Sequence, residues 1–409
     1  MRGWVRVVRG AGWACAIAAV AVLHIWQAVV TPTFAFDEPL WFMRSQVFPA
    51  DLSKHGYRYW AIDIPAVNRW VWYPILKATG LDVVPEGEKE VWQLDDDGRI
   101  CFFTWRLPDA IKLPGTLEEW KAEHGYYAPR KAVIAMRMAN LAAYAAMVFC
   151  LWIVAKIALE SGVLAVLAIA PVLITPLFAG RMAFESSSGD IYCMAAMAGG
   201  LALWTRGHCK GHAAEWPTAV GMGVLCGIAT ASKHVGIFAL AAYWVYLLIY
   251  AEGWRKAVFP AISSAVAFVV FAVIDPVVIV DPAGPVRVCI QMVERRFQLV
   301  RAIVAGRGPL TWTEYCEKAL FWWPLLPVMI YAGWHCRKEA WFAPVAIWGA
   351  VCVAGALWGL ALTRLLTPHY LAPVELGIYF PAALMVIART RAARATPTAA
   401  GQDGVAGGV

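Results

Sequence analysis

Apolar residues run through this chain in long unbroken blocks, and charge is confined to the intervals between them. Each block approaches the ~20 residues that a helix needs to cross the hydrocarbon of a bilayer. The pattern predicts membrane-spanning helices at about 11–30, 132–155, 162–180, 190–205, 216–232, 234–250, 258–276, 318–334, 341–362 and 370–388. The first block follows Arg2, Arg6 and Arg9, as a signal peptide would, but it is long and no small-residue cleavage site follows it. It is expected to be an uncleaved anchor. The expected fold is therefore all-α and integral to the membrane, with about ten transmembrane helices.

Two long polar segments interrupt the pattern, 31–131 and 277–317. Within the first, 38–48 and 65–79 mix aromatic and charged residues, as helices lying along a membrane interface do. Residues 86–115, with Asp95-Asp96-Asp97-Gly98, Pro108 and Pro114, read as irregular surface structure. A short helix is expected over 116–127, capped by Thr116 with Glu119 at the capping-box position. The chain thus reads as one polytopic unit over 1–388, followed by a tail, 389–409, that is basic and then disordered. It contains no internal repeat of fixed period and no inverted pair of interrupted spans, the usual marks of secondary transporters.

Composition agrees, since 61% hydrophobic and 15% charged residues exclude an ordinary soluble domain. Many of the 22 tryptophans stand near span ends, where amphipathic rings favour the interface. The net charge of +7 would suggest nucleic acid in a soluble protein. Here the distribution of Lys and Arg gives another reading and leaves no case for a nucleic-acid partner. With the N-terminus in the cytoplasm, thirteen basic residues fall in short inside segments and only Arg181, Lys233 and Arg364 in short outside ones. The expected location is the plasma (inner) membrane, with both termini cytoplasmic. The ten cysteines form no C-x-x-C pair, and Cys289 and Cys316 in the second long loop are a candidate disulfide.

With topology fixed, ionisable residues collect on one side. Asp37, Glu38 and Asp63 lie in the first outer loop, and Arg137 lies just inside the outer end of the second span. Arg181, Glu185 and Asp190 bracket the third-to-fourth connection, Lys233 and His234 form the fifth-to-sixth, and Asp275 ends the seventh span. Arg364, His369 and Tyr370 occupy the ninth-to-tenth connection. Each has a bland alternative. Arg137 could snorkel to headgroups, Asp275 before Pro276 could be a turn, and mid-span His24 could be a packed polar group. Charge at membrane depth is expensive, however, and its convergence on one face is a functional signal.

The order of these features resembles the GT-C glycosyltransferases, especially the protein O-mannosyltransferase and aminoarabinose-transferase branch. After the first span comes an acidic pair, Phe36-Asp37-Glu38, then Ala61-Ile62-Asp63-Ile64-Pro65-Ala66 leading an aromatic-rich helix. The second span opens with Arg137-Met138-Ala139-Asn140. Gly180-Arg181 and Gly189-Asp190 follow, then Ala229-Thr230-Ala231-Ser232-Lys233-His234, and finally Arg364 with Pro368-His369-Tyr370-Leu371-Ala372-Pro373. The chain departs from the family where Ala66 replaces one of two prolines and His369 replaces an Arg.

The resemblance implies transfer of a sugar from a polyprenyl-phosphate donor to an extracytoplasmic lipid, glycan or protein acceptor, usually with inversion. It makes Asp37 the general base, with Glu38 and Asp63 orienting the acceptor or a bound cation. Lys233, Arg364, His369 and Tyr370, with Arg137 and Arg181, are then the candidates for the donor phosphate. No cofactor is fixed by these residues, and a divalent cation is the one candidate. Tyr57, Tyr59, Trp60, Trp70 and Trp72 could stack on sugar or anchor the loop, with anchoring favoured. The main alternative is a transporter or flippase for an anionic lipid or small solute that uses the same outer charges.

Overall fold

The computed structural model describes residues 20–29, 66–78, 130–174, 190–275, 323–363 and 372–395. Among them there are helices and turns and no strand. The helices are α1 (Val20–Val29), α2 (Ala66–Ala78), α3 (Arg130–Leu159), α4 (Gly162–Ile174), α5 (Asp190–Cys209) and α6 (Trp216–Ser232). They continue as α7 (Ile237–Tyr250), α8 (Arg255–Ile274), α9 (Leu326–Cys336), α10 (Phe342–Thr363) and α11 (Ala372–Ala395). Each falls on a predicted apolar block, except α2, which is the expected aromatic helix of the first loop. Two stretches, Ile134–Leu159 and Arg255–Ile274, are long and apolar enough to cross a membrane. Large apolar side chains stay exposed on the outside of the bundle, among them Phe268, Val269 and Val273 on α8 and Leu248 and Ile249 on α7. Water would not tolerate such surfaces, and lipid does. This is a membrane protein.

Helix ends explain the order of turns. α5 begins at Asp190 and carries Arg206 in its last turn, a charge that complements the helix dipole. It stops at Gly211, whose φ of +77° suits glycine. The His212 amide bonds the Gly207 carbonyl at 2.7 Å and the Gly211 amide bonds that of His208 at 3.0 Å, a Schellman closure. Pro217 then sits in the first turn of α6, where its missing amide costs nothing. At the far end of α6 the chain breaks into extended backbone at Lys233 and re-enters a 3-10 turn, His234–Gly236. Gly236 presses so close to Ala229 that a Cβ there would lie 2.3 Å from the Ala229 carbonyl carbon. α7 accordingly begins three residues later than the apolar pattern alone implies.

Without a hydrophobic drive between helices in lipid, small residues decide which helices touch. Gly223 and Gly227 of α6 lie one turn apart on the face that meets α8. A Cβ on either would stand 2.7 Å from a carbonyl oxygen of α8, Ser263 for the first and Ala267 for the second. The rising numbers on both sides show that α6 and α8 run parallel. Thr230 and Ser232, polar residues inside α6, donate back to the carbonyls of Cys226 and Ile228 at 2.7 and 2.8 Å and so need no partner across the bundle.

The basic residues expected on the inside gather at one end of the bundle. Arg391 of α11 pairs with Glu160 at 2.9 Å and also donates to the Leu159 carbonyl. Lys156 lies 4.8 Å from the Trp152 ring centroid and Arg337 3.7 Å from that of Trp334. The same end holds an aromatic cluster in which His208 Nδ1 and Tyr246 Oη are 2.5 Å apart, with Tyr246 stacked on Tyr250. The expected segments 38–48, 86–115 and 116–127, the second long loop with Cys289 and Cys316, and the end of the tail lie outside the described residues.

Two outcomes follow from this packing. Gly227→Val forces α6 from α8 and should cost about 1–3 kcal/mol, read as a lower thermal midpoint in detergent; an unchanged midpoint would mean the helices do not meet there. His208, beyond the end of its predicted span, is held below its ordinary range by burial. Its folded state therefore prefers the neutral ring, so its contribution to stability is complete above the unfolded value near ~6.5 and falls as pH drops toward the lowered folded value. Midpoints measured between pH 5 and 8 should show this loss, and His208→Phe should flatten it.

Candidate active site

Among the described residues, the predicted outer charges Arg137, Lys233 and Asp275 fall at the opposite end of the bundle. Arg137 stands two turns into α3 and is only 2% exposed, so it does not snorkel. Its Nη1 donates at 2.9 Å to the carbonyl oxygen of Ala28, near the end of α1. One turn later Asn140, fully buried, accepts at 2.9 Å from the hydroxyl of Tyr192 on α5. That hydroxyl in turn accepts from Trp72 Nε1 of α2 at 3.2 Å. The next residue, Cys193, turns its thiol toward the Lys233 carbonyl at 3.9 Å. Consecutive residues of α5 thus reach α3 on one side and the α6–α7 turn on the other.

Trp70 completes the ring by donating at 2.8 Å to the Ile274 carbonyl at the end of α8. Asp275 caps that helix, its amide closing on the Phe271 carbonyl at 2.8 Å, and it is 2% exposed. Alternation along a helix would put Trp70 and Trp72 on different faces, and α2 uses both, one for α8 and one for α5. The tryptophans anchor α2 to the bundle, which is the role favoured from sequence. A buried Arg and a buried Asp at one end of an apolar bundle are costly features that a purely structural end would not need.

The structure places Arg137, Lys233 and Asp275 at the same end of the bundle, and Asp190 opens the helix that carries Tyr192. Lys233 is half-buried at the helix break. Asp37, Glu38, Asp63, Arg181, Arg364, His369 and Tyr370 lie outside the described residues, as do Tyr57, Tyr59 and Trp60. Among the described residues no three His, Cys, Asp or Glu side chains come together as a metal site. Tyr192 was not singled out in the sequence. Its one signal is its place two residues inside a helix that opens with a predicted site acid.

Residues 126–279 match the family of dolichyl-phosphate-mannose-protein mannosyltransferases. The match bears out the resemblance to the protein O-mannosyltransferase branch, and it spans Arg137, Asn140, Asp190, Tyr192, Lys233 and Asp275. It supports a membrane glycosyltransferase that draws its sugar from a polyprenyl phosphate. No curated protein matches the chain.

The Trp72–Tyr192–Asn140 chain has a measurable consequence. Tyr192→Phe removes the acceptor of the buried Trp72 indole N–H and one donor to Asn140, and should lower stability by about 1–3 kcal/mol. In the Tyr192→Phe background, Trp72→Phe should then cost less than it does alone, as a double-mutant cycle would report. Additive losses would show that the three side chains do not act as a unit.

Proposed function

We propose that this protein transfers a sugar from a polyprenyl-phosphate donor to an acceptor at the extracytoplasmic face, with inversion. The observation that carries this reading is the polar end of the bundle, whose Arg137, Asn140, Tyr192, Lys233 and Asp275 lie within the segment matched to the mannosyltransferase family while Ala28, Trp70 and Trp72 join it from α1 and α2. Three physical needs define the reaction. The acceptor hydroxyl needs a base, the leaving phosphate needs fixed cations, and the prenyl tail needs an apolar surface.

Asp37 is the base in this reading. Its carboxylate takes the acceptor's hydroxyl proton as the oxygen attacks the sugar's anomeric carbon from the face opposite the phosphate. The bond from that carbon to the phosphate oxygen breaks, and its electron pair leaves on the polyprenyl phosphate. Lys233 meets the developing charge as a point cation, and Arg364, His369, Tyr370 and Arg181 contribute the rest of the phosphate site. Arg137, already engaged with Ala28, holds the first helix against the site as well as adding positive field. Glu38 and Asp63 orient the acceptor or a divalent cation. The lipid tail lies against the exposed apolar helix faces, and the acceptor is a lipid, glycan or protein.

The test is transfer from radiolabelled polyprenyl-phosphate sugars by protein reconstituted in lipid, with Asp37→Asn and Lys233→Ala beside the wild type. Asp37→Asn should reduce transfer by ~10²-fold or more while the protein remains inserted and donor binding persists. Lys233→Ala should raise the donor concentration needed for half-maximal rate. Full activity in Asp37→Asn would remove that residue from the mechanism. Absence of turnover with every donor, together with lipid or solute flux in sealed vesicles, would favour a transporter.

A further inference from the structure

Below the Arg137–Ala28 bond, α1 and α3 continue to face each other. Arg137, Asn140 and Tyr144 recur at spacings of three and four and so share one face of α3. On α1, His24 lies one turn before Ala28, and its ring meets that of Tyr144 edge to face with centroids 5.3 Å apart. Both side chains are more than nine-tenths buried, His24 at 7% exposure and Tyr144 at 6%. Among the described residues neither His24 Nδ1 nor Tyr144 Oη has a hydrogen-bond partner, and the same holds for buried Gln27 Oε1, three residues along α1. Folded proteins rarely leave such atoms without a partner, and hydrocarbon surroundings make each omission more costly.

His24 and Tyr144 meet across the α1–α3 seam, with Gln27 Oε1 three residues further along α1, and these atoms limit the chemistry that fits there. Tyr144 Oη can donate, Gln27 Oε1 can only accept, and His24 Nδ1 does either according to tautomer. An anion cannot donate to Gln27, a metal cation cannot accept from Tyr144, and an apolar group does neither. A hydroxyl does both. We propose that the His24–Tyr144 crevice binds a hydroxyl group, of an ordered water or of a bound sugar, that accepts from Tyr144 and donates toward α1. A water has two protons and so reaches both His24 and Gln27, whereas a sugar hydroxyl reaches one of them. The site lies one turn beneath the Asn140–Tyr192 bond, so the bound hydroxyl extends the polar end of the bundle inward along the α1–α3 seam. It also helps fix α1, whose next residues lead into Phe36-Asp37-Glu38.

The inference is independent of sugar transfer, because its readout is stability. His24→Phe and Tyr144→Phe both keep a ring and remove a polar atom, so the edge-to-face contact survives in each. Thermal midpoints of the wild type, both single variants and the double variant are measured in lipid nanodiscs. Each single change should lower the midpoint by roughly 2 °C or more, and the double should lose less than the sum, because either change alone releases the shared hydroxyl. The same set is repeated with polyprenyl-phosphate mannose. Coupling in its absence identifies water, and coupling that appears only in its presence identifies the sugar. Because His24→Phe can disturb packing, a high-resolution cryo-EM map provides a second measure: density within hydrogen-bond reach of both atoms, lost in Tyr144→Phe, supports the site. A midpoint raised by Tyr144→Phe, or additive losses in both arms with no such density, would overturn it.

Discussion

A polar atom placed inside an apolar bundle must find a partner there, because lipid offers none. That constraint organises the described part of this protein. Arg137 enters the bundle and is held by a backbone carbonyl of α1. Asn140 is held by Tyr192, which is held by Trp72, and these bonds tie together helices 52 and 120 residues apart in sequence. Serine and threonine within α6 turn back onto their own helix instead. α6 and α8 can then pack through glycines, with backbone close to backbone.

The two ends of the bundle satisfy this constraint differently. At the basic end the contacts are open to solvent. Arg391 and Glu160 keep 45% and 76% of their side chains exposed, so their ion pair contributes little. Packing of the Trp204, Tyr243 and Tyr246 rings does more to hold that end. At the other end the polar groups are buried and joined into a chain, so stability and the candidate chemistry depend on the same residues.

Much of the helical framework was legible in the sequence, because span length and apolar composition are local properties. α6 fills the predicted 216–232, and α2 appears where aromatic and charged residues alternate. Two boundaries needed more than hydropathy. α5 runs past residue 205 to a glycine closure, and α7 starts late because Gly236 packs on Ala229. The family match covers the middle of the motif order, 126–279, and leaves the motifs before and after it unmatched. What could not be read was direction. Sequence left Arg137 free to point outward to headgroups, and only the neighbouring α1 carbonyl decides that it turns in. Nor does any periodicity announce that Tyr192 bridges Asn140 and Trp72, since a pairing between distant helices leaves no trace in either helix alone.

Replacing a buried ion or polar network with well-packed apolar residues is often neutral or stabilising. A bundle selected for stability alone would therefore have little reason to retain Arg137, Asn140, Tyr192 and Asp275 in its interior. Gly223 and Gly227 show that this chain can pack helices tightly without polar atoms. The polar end is thus retained at a cost that the glycine-packed α6–α8 seam avoids. Such a cost is better explained by a substrate that carries charge to that end than by architecture. A phosphate on a lipid carrier is such a substrate, since its tail belongs in the bilayer and its headgroup must be met where the bilayer stops.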